Sequence, residues 1–187
     1  KIKSFQFLKG AYYLKNKIYD DIGERMIGDI DLLISEKEKN KTIRLLNKNN
    51  YYNVIDYKYR SNRHLPRFRN SRKNFAVEIH TKLFDKEKYN INISKFLENP
   101  QSQIINYAIL NYQINDYATL KSMFSYRTMH DYFCLSRHFK NSQKKSQNNH
   151  IKIFLNFISI LENNGLKKIK LNLQNRIIIN RYFLKRK

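Results

Sequence analysis

The sequence predicts an α+β fold: a mixed sheet with flanking helices, followed by a C-terminal helical bundle. Two segments of the first half, residues 26–34 (MIGDIDLLI) and 75–81 (FAVEIHT), alternate apolar and polar residues with the period of a strand. From about Ser94 onward apolar residues recur instead at three- and four-residue spacing. Leu120, Met123 and Phe124 do so, as do Ile151, Phe154, Leu155 and Ile158. The change of period divides the 187 residues into a sheet-bearing domain over 1–93 and a helical domain over 94–187.

The elements follow in order. Residues 5–8 form a short apolar run closed by Lys9-Gly10, and residues 11–14 begin a helix. Residues 19–23 (YDDIG) form a loop, because Asp and Gly interrupt any period. After the strand over 26–34, Ser35 is placed to cap a helix starting near Glu36, whose Glu36 and Glu38 suit the positive end of the helix dipole. That helix carries Ile43, Leu45 and Leu46 and stops at the Asn-rich residues 47–50. Residues 51–59 have strand composition, residues 60–73 (RSNRHLPRFRNSRK) form a basic loop or hairpin, and residues 75–81 are the next strand. Helices are expected over 101–113, 118–138, 150–161 and 168–184. A polar linker falls at 141–149, and Gly165 is placed to end a helix.

Composition bounds the function. Hydrophobic content of 41% supports a real core and argues against disorder. A single cysteine, Cys134, allows no internal disulfide and fits a reducing, cytoplasmic compartment; its neighbours Phe133 and Leu135 mark it as a buried small hydrophobe. No run approaches the ~18 apolar residues of a membrane helix, so no membrane partner is expected. The first residues, KIKSFQFLKG, lack the features of a signal peptide and an initiator Met, as expected of a processed or trimmed chain or a fragment of a longer one. A net charge of +22 attracts polyanions, nucleic acid among them, although the Lys-, Asn-, Ile- and Tyr-rich usage of AT-rich codons contributes to it. The 14 Tyr and 12 Phe show no RNA-stacking pattern and read as core. Walker loops, CxxC pairs, HExxH and GxSxG are absent, leaving kinase-like, zinc and serine-hydrolase readings unsupported.

The chemistry concentrates in Gly28-Asp29-Ile30-Asp31. Residues two apart in a strand share a face, so Asp29 and Asp31 project together while Ile30 and Leu32 turn to the core. Carboxylates held this close repel unless a cation lies between them, and an oxygen-only site suits Mg²⁺. A bare DxD is also compatible with two solvated strand acids, or with the DxD of metal-dependent glycosyltransferases; the short chain without a doubly wound domain disfavours the latter. The second strand offers Glu78 and His80 on one face. If it lies beside the first, Glu78 becomes a third carboxylate; otherwise it is an exposed edge-strand acid. Arg25 can hold phosphate bidentately or pair with Asp20, Asp21 or Glu24. The basic cluster of Arg60, Arg63, His64, Arg67, Arg69, Arg72 and Lys73 can clamp phosphates or be a solvated hairpin.

The segment FLKGAYYLKNKIYDDIGERMIGDIDLLIS, followed by Val77-Glu78-Ile79-His80, resembles the uncharacterised-nucleotidyltransferase family of bacteria, a branch of the polymerase β superfamily. The resemblance covers about residues 2–84, and continues loosely to MHDYFCL, whose Asp131 is placed either at the site or in a cap or ion pair with Arg127. It implies a polymerase β-like sheet in which Asp29, Asp31 and Glu78 are the catalytic and metal-binding residues. They would hold two Mg²⁺ ions and, through them, a nucleoside triphosphate. Glu78 would also help activate the acceptor hydroxyl, be it on a small molecule, a protein or RNA. Lys9 and Gly10 would cradle phosphate at the start of a helix, and Arg25, Gly28, His64 and His80 would complete the nucleotide-binding set. His80 would orient a metal-bound water or a phosphate, or serve as a structural histidine. The chain departs from the wider superfamily in having Ala11 after Gly10 and Glu as the third acid. The helical domain would shape the acceptor pocket. The alternative function is a non-catalytic, basic RNA- or partner-binding protein that keeps the fold.

Overall fold

The structure is a computed structural model that describes residues 4–53, 63–85, 89, 91–115, 126–139 and 148–164. Several expected features lie outside these residues: the strand continuation over 54–59, Arg60, the start of the helix over 118–125, most of the linker, Gly165 and the helix over 168–184. The chain divides into two compact units, Lys1–Gln103 and Ile104–Lys187.

The first unit is built on a mixed five-stranded sheet. Its strands are β1 (Phe5–Phe7), β2 (Asp29–Ile34), β3 (Tyr52–Asn53), β4 (Phe68–Arg69) and β5 (Ala76–His80), in the spatial order β1-β2-β5-β4-β3. Only β2 and β5 run parallel. The parallel pair needs a long crossover, which begins with α2 (Lys39–Lys48). Because β5 has strands on both sides, all five of its residues are buried, Glu78 and His80 among them. The edge-strand alternative for Glu78 is thereby excluded.

The alternation of β2 sorts its side chains. Ile34 joins Phe68, Val77 and Ile79 in a core cluster, with Ile30 and Leu32 against it. Ile43 and Leu46 of α2 pack on this face, so one layer of the unit is helix on sheet. At its C-terminus, Asn50 takes a left-handed φ of 60° and Tyr51 N–H donates back to the Leu46 carbonyl at 3.0 Å. Asn tolerates that conformation better than most residues, so the Asn-rich segment ends the helix where the sequence predicts. Ser35 precedes α2 through a 3₁₀ turn, Glu36–Glu38, but makes no capping hydrogen bond with its side chain.

α1 (Lys9–Lys15) leaves β1 without a loop. Leu8 N–H still donates to the Asp31 carbonyl at 2.9 Å, and the next residue, Lys9, turns the chain with a φ of 48°. Asp21 caps a short 3₁₀ turn, Ile22–Glu24, reciprocally with Glu24. Three local expectations are adjusted. The second strand starts at Asp29 rather than at Met26, whose side chain is 85% exposed. A strand, β4, lies inside the basic stretch, and a helix, α3 (Ile93–Glu98), precedes the first one expected.

The second unit is helical among its described residues: α4 (Ile104–Leu110), running on into a π-helical turn at Asn111–Asn115, α5 (Tyr126–His138) and α6 (Asn149–Asn164). Its core includes Ile105, Ile109, Leu135, Phe154 and Ile158, and Tyr132 meets Phe154 edge-on at 5.1 Å. Asp131 is buried in this unit and accepts a hydrogen bond from the Tyr112 hydroxyl. Cys134 is buried, as its apolar neighbours suggest. No helix among the described residues is long and apolar enough to cross a membrane.

Candidate active site

Parallel pairing sets β2 and β5 in the register Asp29↔Ala76, Asp31↔Glu78 and Leu33↔His80. Partners in register present their side chains on the same face. Asp29, Asp31, Glu78 and His80 therefore share the face opposite the Ile34–Val77–Ile79 cluster. Ala76, opposite Asp29, adds little bulk there.

Three carboxylates at close quarters need positive charge, and the chain supplies it. Lys9 Nζ donates to Asp31 Oδ1 at 2.7 Å. Arg67 Nε donates to Glu78 Oε1 at 2.6 Å, and its Nη2 lies 3.4 Å from Asp29 Oδ2. His80 Nε2 is 2.8 Å from Asp31 Oδ1 and 3.7 Å from Glu78 Oε2. Asp31 is an ionised acceptor, so the proton on that contact belongs to Nε2.

The three acids differ in consequence. Burial works against the charge of Asp31, but hydrogen bonds from His80 and Lys9 outweigh it and hold the carboxyl below its ordinary range. Burial opposes the charge of Glu78 too, but the nearby His80 ring and the hydrogen bond from Arg67 outweigh it and hold this carboxyl well below its ordinary range. Asp29 goes the other way: burial, then the neighbouring charges of Asp31 and Glu78, raise it. Glu78 is thus a weak base, suited to holding a cation, and Asp29 is the most basic of the three.

The donor set fits a divalent cation. One oxygen each of Asp31 and Glu78 and a ring nitrogen of His80 lie within 4.8 Å of one another, and all three residues are buried. Asp29 adds a further carboxylate on the same face. Metal-binding residues commonly cluster in this way, with hard oxygens first.

The remaining expected residues fall around this centre. Gly10 abuts Ile27: a Cβ there would lie 2.3 Å from Ile27 Cγ2, and 3.7 Å from the guanidinium carbon of Arg25. Arg25 is thus brought beside Gly10, where its Nη1 donates to the Met26 carbonyl at 2.7 Å. A Cβ on Gly28 would meet nothing within 4 Å, so open space borders Asp29. His64 bridges to the His80 backbone, its ring centroid 5.0 Å from that of His80, and its Nδ1 donates to the Leu65 carbonyl at 2.9 Å. Burial holds the His64 ring below its ordinary pKa, hence neutral near pH 7. Arg69, in register with Ala76, and exposed Arg72 and Lys73 line the turn from β4 to β5.

Arg67 is the cation of this site that nothing in the sequence distinguishes from its neighbours. It stood as one of several cations in a basic stretch, and only the folding of that stretch against β5 sets it on two acids at once. The direct contact of Lys9 with Asp31 was equally invisible.

Comparisons with curated proteins and with solved structures found no match. The family described as "Uncharacterised nucleotidyltransferase" matches residues 4–116, more than half of the chain. That span contains all three acids, Lys9, Gly10, Arg25, Gly28, His64, Arg67 and His80. The chain belongs to this family of uncharacterised nucleotidyltransferases.

Proposed function

We propose that the protein is a metal-dependent nucleotidyltransferase of the polymerase β type. It moves a nucleoside monophosphate from a nucleoside triphosphate to an acceptor hydroxyl and releases pyrophosphate. The observation that carries this reading is the register of β2 beside β5: Asp31 stands next to Glu78, with Asp29 two residues along the same face. Asp29, Asp31 and Glu78 would hold two divalent ions, Mg²⁺ being suited to the oxygen donors. Ions so held neutralise triphosphate charge and stabilise the entering and leaving oxygens of an in-line displacement.

The chain's own residues supply the rest. Lys9 and Arg67 lie on the carboxylates and are the nearest cations to an incoming triphosphate, which offers them a second anion. As they shift toward phosphate, the carboxylates are released for the metal. The open space at Gly28 favours close approach of the nucleotide, and Arg25, held beside Gly10, can grip a further phosphate. His64 and His80 border the same centre. Positioning and charge neutralisation carry most of such a reaction.

The test is a transfer assay. The protein is incubated with each α-³²P-labelled nucleoside triphosphate, Mg²⁺ or Mn²⁺, and pooled acceptors: total RNA, cell protein and small metabolites. Label moved by the wild type and not by Asp29→Ala/Asp31→Ala establishes the chemistry and the acceptor class. Absence of both transfer and metal-dependent nucleotide binding would favour a basic binding protein that keeps the fold.

A further inference from the structure

We propose that His80 Nε2 is itself a ligand of the cation held between Asp31 and Glu78, so that this position takes a first-row transition ion in preference to Mg²⁺. The inference deepens the reading above and rests on it.

The geometry comes first. The Nε2 atom lies 2.8 Å from Asp31 Oδ1 and 3.7 Å from Glu78 Oε2. Metal–ligand bonds of about 2.1 Å in an octahedral site put neighbouring ligand atoms about 3 Å apart. The two separations from Nε2 are close to that spacing, and when the ion binds, the ring proton moves from Nε2 to Nδ1 so that the Nε2 lone pair faces the ion. Lys9 must leave Asp31 Oδ1 for the ion, but the His80 ring is already in place. His80 is fully buried on the central strand, and its backbone is fixed opposite Leu33.

The second observation concerns the other ring nitrogen. His80 Nδ1 is buried and has no hydrogen-bond partner among the described residues. With no partner at Nδ1 to fix the tautomer, the ring proton is not locked to Nε2, and the Nδ1–H form presents the Nε2 lone pair to the ion.

The donor type then sets the ion. Mg²⁺ takes oxygen and holds its waters, whereas imidazole nitrogen suits the first-row transition metals. Asp29 and Asp31 retain an oxygen-only position for a second ion. The two positions are thereby chemically unequal, with Asp31 common to both.

Mn²⁺ is the probe, because its electron spin couples to a directly bound nitrogen. Pulsed electron paramagnetic resonance on the Mn²⁺-loaded full chain, with a non-hydrolysable nucleoside triphosphate, is expected to show ¹⁴N coupling. That coupling changes to the ¹⁵N pattern in protein made with ¹⁵N-histidine, and His80→Gln abolishes it. His80→Gln is also expected to weaken Mn²⁺ binding at least about tenfold, and Mg²⁺ binding by less. Should His80→Gln fail to fold, the wild-type signal still reports whether a histidine is bound. His64→Gln, which removes the neighbouring ring, should leave that signal intact. Mn²⁺ bound in an Asp31-dependent way without histidine coupling would overturn the inference and leave the metal-dependent reading standing. Absence of Mn²⁺ binding would overturn it too, and the transfer assay would then decide the wider reading by itself.

Discussion

Arg67→Met tests whether the site is held together by its own cations. Methionine keeps the stem of the side chain and removes the guanidinium. In the wild type that group donates to buried Glu78 at 2.6 Å and lies 3.4 Å from Asp29. A hydrogen bond to a charged group contributes about 1.5–3 kcal/mol; because the Arg67 side chain is 53% exposed, solvent screening reduces this to about 1–2 kcal/mol. For a chain of this size the melting temperature should fall by about 2–8 °C in metal-free buffer near pH 7. The dependence on pH follows from Glu78, whose carboxyl is depressed below its unfolded value of 4.5. Its contribution is fully present above that pH and is lost as pH falls through the lower folded value. The difference between wild type and Arg67→Met should therefore be largest at neutral pH and close in acid below about 4.5. Mn²⁺ should restore the variant more than it stabilises the wild type, because the ion no longer competes with a guanidinium. Thermal unfolding followed by circular dichroism, at several pH values with and without Mn²⁺, measures all of this. An unchanged or raised melting temperature at pH 7, or a gap that widens in acid, would refute the reasoning.

Asp29→Asn should stabilise the metal-free protein at neutral pH while abolishing transfer. Burial and two neighbouring carboxylates raise the Asp29 carboxyl, so its charge costs stability above its folded pKa, and the gain should vanish as pH falls below the unfolded value of 3.8. Gly10→Ala should cost about 1–3 kcal/mol by overpacking, since its Cβ would lie 2.3 Å from Ile27 Cγ2; Gly28→Ala should stay within about 0.5 kcal/mol, yet lower nucleotide affinity, both read by denaturant titration and nucleotide binding. Mn²⁺ should bind weakly alone and more tightly with a non-hydrolysable nucleoside triphosphate, and Lys9→Met/Arg67→Met should bind Mn²⁺ alone better than the wild type, as a titration of free Mn²⁺ would show. In the helical unit, Tyr112→Phe removes one hydrogen bond to buried Asp131 and should cost about 0.5–1.5 kcal/mol in the same unfolding measurement.

What the sequence made legible was local. The alternation in Asp29-Ile30-Asp31-Leu32 and Val77-Glu78-Ile79-His80 is a property of each strand alone, and both strands form with those faces. The stop at Asn50 is likewise a short-range matter of one residue's backbone. What could not be read depends on pairing between distant segments. Phe68 and Arg69 form a strand because Val77 and Ala76 stand opposite them, and two residues inside a basic run carry no period. Met26 and Ile27 are apolar, yet they precede the strand; Ile27 packs against Gly10 instead. His80 shows the boundary well. Its spacing from Glu78 put it on the acid face, but its bond to Asp31 requires parallel strands in one register, with His80 a single step beyond the Asp31–Glu78 row.

Charge counting explains why cations stand among the acids of the site. The three carboxylates of Asp29, Asp31 and Glu78 stand against the two cations Lys9 and Arg67. Buried carboxylates without partners would take up protons or push the sheet apart. A site filled only by a divalent ion would face two cations already in contact with its ligands. On the proposed function, a triphosphate would change the balance, because it would give Lys9 and Arg67 an anion of their own while bringing its ion to the carboxylates. Lys9 is placed for this at some expense: its φ of 48° is a left-handed conformation costing roughly 1–2 kcal/mol in a residue with a Cβ. Such strain persists where the surroundings over-determine it, as here between the last hydrogen bond of β1 and the first turn of α1. The same turn that strains Lys9 carries its ammonium to Asp31. On the proposed function, the site is closed on itself by Lys9 and Arg67 and would be opened by nucleotide and ion together.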